Sequence, residues 1–145
     1  MLSVPRVLVA GLALAAFALP APLAAACGGS GPSAAPTASF PSISQSELVA
    51  AINGKTVTII DVNGTASWRK AHIPGAIDAQ ANARTLASTL PKDKKALVVV
   101  YCGSAQCGAW KQGADFAAAQ GYTNVRHFAP GITGWVKAGG TTDRG

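Results

Sequence analysis

The residues best placed to do chemistry in this sequence are two cysteines five positions apart, Cys102 and Cys107. The apolar run Val98-Val99-Val100-Tyr101 leads straight into Cys102; Gly103-Ser104-Ala105-Gln106 follow, then Cys107 and Gly108. A strand running into a small-residue loop and then a helix puts Cys102 at a strand's carboxyl end, where open α/β sheets bind ligands. Backbone N–H groups of such a loop can converge on an anion, helped by the N-terminus of the next helix. The same field favours thiolate over thiol, and the thiolate is the nucleophile. Gly103 and Gly108 allow turns that other residues resist. The competing account makes Cys102 a small hydrophobe buried at a strand end. Cys107 also has two accounts. It is either a resolving thiol, if its Cα lies within about 7 Å of that of Cys102, or a small filler at the start of the helix.

Other reactive side chains carry less. Asp61 ends a predicted strand, where it either holds neighbouring backbone or is a solvated or capping carboxylate. Trp110 and Lys111 lie just past the loop. Lys111 is either the positive charge the loop lacks or an exposed helix lysine. Trp135 reads as core, and the sequence does not place Trp68. His72, His127, Cys102 and Cys107 follow no zinc spacing, so neither a metal nor another cofactor is expected.

The elements that must position Cys102 follow from local pattern. Ser44-Gln45-Ser46-Glu47 has the S-x-x-E form of a capping box and predicts a helix over 45–53, with Leu48, Val49 and Ile52 on one face. Asn53-Gly54 ends it. Thr56–Val62 and Ala96–Tyr101 are β-branched or apolar runs that read as buried strands, and Asn124–Phe128 is a third, shorter one. Lys111–Gln120 reads as a helix with Ala114, Phe116, Ala117 and Ala118 as its apolar surface and Gly121 as its stop. Gly131–Ala138 predicts a short terminal helix with Ile132 and Trp135 inward, ended by Gly139-Gly140. Strands alternating with helices imply an α/β domain with a parallel sheet covered on both faces. About 100 residues can bury one core. There is no internal repeat.

Four separated segments resemble the rhodanese family, in the family's order. They are Ile59-Ile60-Asp61-Val62, His72-Ile73-Pro74-Gly75-Ala76, Val100-Tyr101-Cys102 with its small-residue loop, and Gly121-Tyr122 through Gly131-Ile132-Thr133-Gly134-Trp135. Together they span roughly residues 43–140. The resemblance implies a rhodanese-like fold over 40–145, a five-stranded parallel sheet flanked by helices on both faces, with Cys102 as the sulfur-accepting nucleophile. It also implies that His72 has a structural rather than a catalytic position. The chain departs from the family at three places. Asp61-Val62-Asn63 stands where Asp-Val-Arg is frequent, and Cys107 and Gly108 stand where active sulfurtransferases carry a basic residue and then Ser or Thr. An uncharged loop disfavours thiosulfate, a dianion, as donor. The related phosphatase-type loop is one residue longer and ends in Arg, so phosphatase activity is excluded.

Three functions fit this reading. The first is a sulfurtransferase or sulfur carrier in which Cys102 takes sulfane sulfur from thiosulfate, polysulfide or a persulfide and passes it on as a persulfide. The second is thiol–disulfide chemistry using Cys102 and Cys107. The third is a non-catalytic binding module on the same scaffold.

The amino-terminal residues speak to address. Met1–Arg6 carries positive charge, Val7–Leu19 is a run of 13 apolar or small residues, and Pro20, Pro22 and Ala24-Ala25-Ala26 follow. That is the order of a secretory signal, expected over 1–26. The alternative, a transmembrane helix, falls short of the ~20 residues needed to span a bilayer. Cys27 follows the alanines directly, so Leu23–Cys27 resembles a bacterial lipobox, with Ala24 where leucine is usual. Lipidation of Cys27 is the expectation, and ordinary cleavage after Ala26 the alternative. Residues 27–39 read as a flexible Gly/Ser/Pro/Ala tether. An exported protein of the periplasm or cell envelope, held to a membrane through Cys27, would also account for an odd count of three cysteines. The chain has 12 basic and 6 acidic side chains, net +6; without Arg6, eleven basic against six acidic leave +5. The basic residues are scattered and no aromatic-interleaved stripe occurs, so nucleic acid is not an expected partner. A monomer acting on a small sulfur-containing anion or persulfide is expected.

Overall fold

The computed structural model describes residues 39–145; the expected export signal, Cys27 and all of the tether but Ser39 lie outside them. The elements run α1 Gln45–Asn53, β1 Val57–Asp61, α2 Thr65–Lys70, β2 Ala76–Asp78, α3 Leu86–Thr89, β3 Leu97–Tyr101, α4 Trp110–Ala119, β4 Val125–His127 and α5 Gly131–Lys137. The capping box forms as the sequence predicts. The Glu47 backbone N–H donates to Ser44 Oγ, and the Ser44 N–H donates to the Glu47 carboxylate at 2.9 Å. The Ser44 hydroxyl, which donates to the Glu47 carboxylate at 2.6 Å, and then the Ser44 N–H hold that carboxyl below its ordinary range.

The strands are parallel and lie in the order β2-β1-β3-β4, with Ile59 opposite Val99 and Val98 opposite Val125. The expected fifth strand is therefore corrected: four strands form among the described residues. Residues 41–43 make only a parallel bridge from Ser42 to His127, with one backbone bond on each side, His127 N–H to Pro41 O and Ile43 N–H to His127 O, both 3.0 Å. Pro41 has no N–H to donate, and Ser44 already caps α1, so the pairing has no room to extend.

Side-chain alternation along β3 divides the core in two. Val98 and Val100 point to one face, where Leu86 and Leu90 from the α3 segment and Ala114 and Ala117 of α4 pack. Val99 and Tyr101 point to the other, against Leu48 of α1 and Trp135 of α5. Each buried aliphatic side chain contributes about 1.5–3 kcal/mol of transfer free energy. The face predicted for α1 is narrower than expected: Leu48 is buried and Ile52 packs beside it, but Val49 is exposed at 37%. On α4, Gly113 matters as much as the alanines, since a Cβ there would meet Val62 and Val100 at 2.9 Å.

Candidate active site

Cys102 follows β3 directly and is 3% exposed. Its backbone is held from the far side by α5. Ile132 N–H donates to Cys102 O at 3.0 Å, and Thr133 N–H donates to Gly103 O at 3.1 Å. These are first-turn N–H groups that have no partner within their own helix. Gly131 makes the approach feasible. Its φ is +62°, and a Cβ would stand 2.5 Å from Cys102 O and 2.7 Å from Ser104 N. No cap side chain starts α5; its first turn is satisfied by the loop it supports.

The loop then turns back on itself. Cys107 N–H donates to Ser104 O at 3.1 Å, which brings the Cα atoms of Cys102 and Cys107 to 6.1 Å, and the two sulfurs are joined in a disulfide. Cys107 thus lies within the distance that a resolving thiol requires. The backbone N–H groups of Gly103, Ser104, Ala105 and Gln106 find no acceptor among the described residues. Gly108, Ala105 and Gln106 are exposed and Cys107 is partly so. The loop carries four free donors and no charge.

Beneath the loop lies a buried polar chain. Tyr101 donates its hydroxyl to Asp61 Oδ2 and accepts from Ile73 N–H at 3.1 Å, and Asn63 N–H donates to Asp61 Oδ1 at 2.7 Å. Burial pushes the Asp61 carboxyl up from its ordinary value, against the lowering effect of these bonds. Burial, and then the adjacent Asp61 charge, push the Tyr101 phenol up as well. Asp61 thus holds backbone and does not face solvent. It ties the end of β1 to the His72–Ala76 turn and to Asn63. The Asn63 side chain touches the loop: a Cβ at Gly103 would stand 3.2 Å from Asn63 Oδ1.

The remaining candidates are placed away from this chemistry. His72 is buried, with Nδ1 2.8 Å from Trp68 O and its ring stacked on Trp68 at 3.9 Å. Trp68 donates Nε1–H to Ala76 O at 2.8 Å. Lys111 pairs with Asp115 at 2.8 Å on the exposed side of α4, so it does not supply the loop with a cation. Trp110 stacks on His127 at 3.6 Å and meets Phe40 edge-on, which anchors the first turn of α4 to β4. Burial pulls the His127 imidazole below its ordinary range. Trp135 is core.

Beside the loop opens a groove of about 560 Å³, between the turn after β1 and the start of α4. Asn63, Gln80 and Gln112 supply its polar groups, Val62, Leu86 and Phe116 its apolar wall, and no ionised side chain lines it. Sequence reasoning did not find Asn63, Gly131, Ile132 and Thr133 as parts of the site. The signal for Gly131 was present: a glycine after Pro130 at a helix start, where a side-chain cap would be usual.

A family model described as the rhodanese-like domain matches residues 44–138. Among solved structures, a rhodanese-related protein from Thermoplasma volcanium is 21% identical, over 72% of this chain and 98% of that one, with a TM-score of 0.55. A human single-domain sulfurtransferase is 20% identical, over 68% of this chain and 97% of its own, with a TM-score of 0.55. Thiosulfate sulfurtransferase from Pseudomonas aeruginosa is 24% identical over 73% of this chain, with a TM-score of 0.60, but only 20% of its length is covered. No curated protein matches significantly. At these identities the structural likenesses speak to the fold alone, and the family match covers the Cys102 loop and both segments that hold it. The chain belongs to the family of rhodanese-like domains.

Proposed function

We propose that this domain is a sulfurtransferase or sulfur carrier that works through a persulfide on Cys102. The observation that carries the reading is the position of Cys102 at the end of β3, on a loop with four free backbone donors and a backbone clamped by α5. In the reduced protein the Cys102 thiolate attacks the outer sulfur of a donor. The new S–S bond forms as the donor's own S–S bond breaks, and the remainder of the donor leaves with the electron pair. Loop amides stabilise the resulting Cys102 persulfide anion. An acceptor nucleophile, such as a thiol, sulfite or cyanide, then takes the outer sulfur and restores the thiolate. With no ionised side chain in the loop or the groove, a persulfide donor of lower charge is favoured over the dianion thiosulfate.

A second reading, thiol–disulfide chemistry, is supported by the Cys102–Cys107 disulfide. The two readings meet in one molecule. The Cys107 thiolate attacks the inner sulfur of the Cys102 persulfide and expels hydrosulfide, leaving the disulfide. The site of action is proposed to be the periplasm or cell envelope, with Cys27 lipidated at the mature amino terminus; palmitate labelling that persists in Cys27→Ala would remove the anchor. Intact mass spectrometry tests the main reading. Reduced protein exposed to polysulfide is expected to gain one sulfur atom, mapped to Cys102, and Cys102→Ser is expected to gain none. Undiminished loading of Cys102→Ser would refute it.

A further inference from the structure

We infer that external thiols enter this site through Cys107, so that reduction of the disulfide proceeds by a mixed disulfide on Cys107 and frees Cys102 first. The inference rests on the proposed reading only in that the disulfide is an intermediate of the cycle. A thiolate must approach a disulfide sulfur to react, and the rate depends on which sulfur is accessible and which leaves more readily. Both conditions select the same direction here. Cys102 is 3% exposed, and the α5 clamp fixes its backbone. Cys107 is partly exposed, between exposed Gln106 and Gly108. Attack on Cys107 also expels Cys102 as the thiolate at the carboxyl end of β3, directly before the unpaired N–H groups of Gly103 to Gln106 in the chain, a setting that favours thiolate.

The step balances as follows. The incoming thiolate forms a bond to Cys107 Sγ, the Cys102–Cys107 bond breaks, and its electron pair leaves on Cys102. A second thiol then attacks the external sulfur of the mixed disulfide. It releases Cys107 and carries away the two oxidising equivalents as a disulfide of the reductant. The reductant class is therefore a thiol, and its oxidised product must be reduced by a separate dithiol or thiol system. Lys111, just past the loop in the chain, is already paired with Asp115, and no ionised side chain lines the adjoining groove, so neutral and anionic thiols are not distinguished by charge.

The test uses the oxidised mature protein and glutathione as the probe. After a brief exposure, the reaction is quenched with N-ethylmaleimide and the peptide carrying both cysteines is fragmented between them. Glutathione on Cys107 with maleimide on Cys102 is expected in at least about tenfold excess over the reverse pattern. Equal patterns, or glutathione chiefly on Cys102, would overturn the inference. So would failure of the oxidised protein to hold a Cys102–Cys107 disulfide. Sulfur loading is read separately on the reduced protein. Loading of Cys102 with glutathione on Cys102 removes this inference alone. Glutathione on Cys107 without any loading removes the sulfur-carrying reading and leaves the exchange assignment standing.

Discussion

Replacing Gly131 with alanine should damage both stability and the reactive loop, and the size of the effect can be worked out in parts. The backbone at Gly131 has φ of +62°, and a left-handed alanine costs about 1–2 kcal/mol. The added methyl would stand 2.5 Å from Cys102 O, 2.7 Å from Ser104 N and 2.8 Å from the Gly103 carbonyl carbon, all backbone atoms that no rotamer change can move aside. Relief requires α5 to withdraw, at the expense of the bonds from Ile132 and Thr133 to the loop carbonyls. Each is worth about 1 kcal/mol net. The total is about 3–4 kcal/mol, against a typical domain stability of about 5–15 kcal/mol. For a domain of this size, that lowers Tm by roughly 12–30 °C. Gly139→Ala is the control: its φ is +80°, but no atom lies within 4 Å of the added methyl, so only the backbone cost applies. Urea melts with unchanged slope give the two stabilities, and mass spectrometry gives sulfur loading. Gly131→Ala should lose at least about 2 kcal/mol more than Gly139→Ala and load Cys102 poorly. If the two variants melt together and load alike, the clamp is not what holds Cys102.

Tyr101→Phe should cost about 2–6 kcal/mol, because it leaves a buried Asp61 oxygen and the Ile73 N–H without partners, each at about 1–3 kcal/mol; an unchanged urea midpoint would remove the network from the account. Cys107→Ser should still load sulfur but keep its persulfide longer than the unsubstituted protein, and a time course of intact mass after donor removal would contradict this if both decayed together. His127 is predicted to make stability pH-dependent. Burial lowers its folded-state pKa, so its contribution is full above the ordinary histidine value of about 6.5 and is lost as pH falls through the lower folded value. His127→Gln should flatten that part of a plot of Tm against pH, and equal slopes for both proteins would count against burial of the neutral ring.

Where chemistry is local, the sequence was legible. The bounds of α1 follow from Ser44 and Glu47, and β1 and β3 from runs of β-branched and apolar residues. Cys102 could be placed because a strand, a small-residue loop and a helix are consecutive in the chain. Elements defined by distant partners were not legible. The α2 helix buries no residue and has no side-chain cap, and its first N–H, that of Thr65, donates to Gln80 Oε1, 15 positions on. The three-residue strand β2 lies inside a turn motif and pairs only with β1. The clamp on Cys102 comes from Ile132, 30 positions later, and no local pattern announces it. The fifth strand was expected from the family and is reduced here by Pro41, a residue whose effect needed the position of His127 to be seen.

The short span between the two cysteines has an energetic consequence for the whole domain. A disulfide restricts the unfolded chain by an amount that grows with the logarithm of the ring it closes, and here the sequence separation is only five. On chain-entropy scaling such a ring stabilises by about 2 kcal/mol, about 1 less than a fifteen-residue ring. Its ends lie after β3 and before α4, so no element of the sheet or its covering helices is enclosed. Opening the ring therefore lowers the folding equilibrium constant by roughly thirtyfold, through the unfolded chain and without releasing any strand or helix. Each turnover of the thiols therefore moves the domain's stability by about 2 kcal/mol, and the reductant works against that share of the fold as well as against the bond.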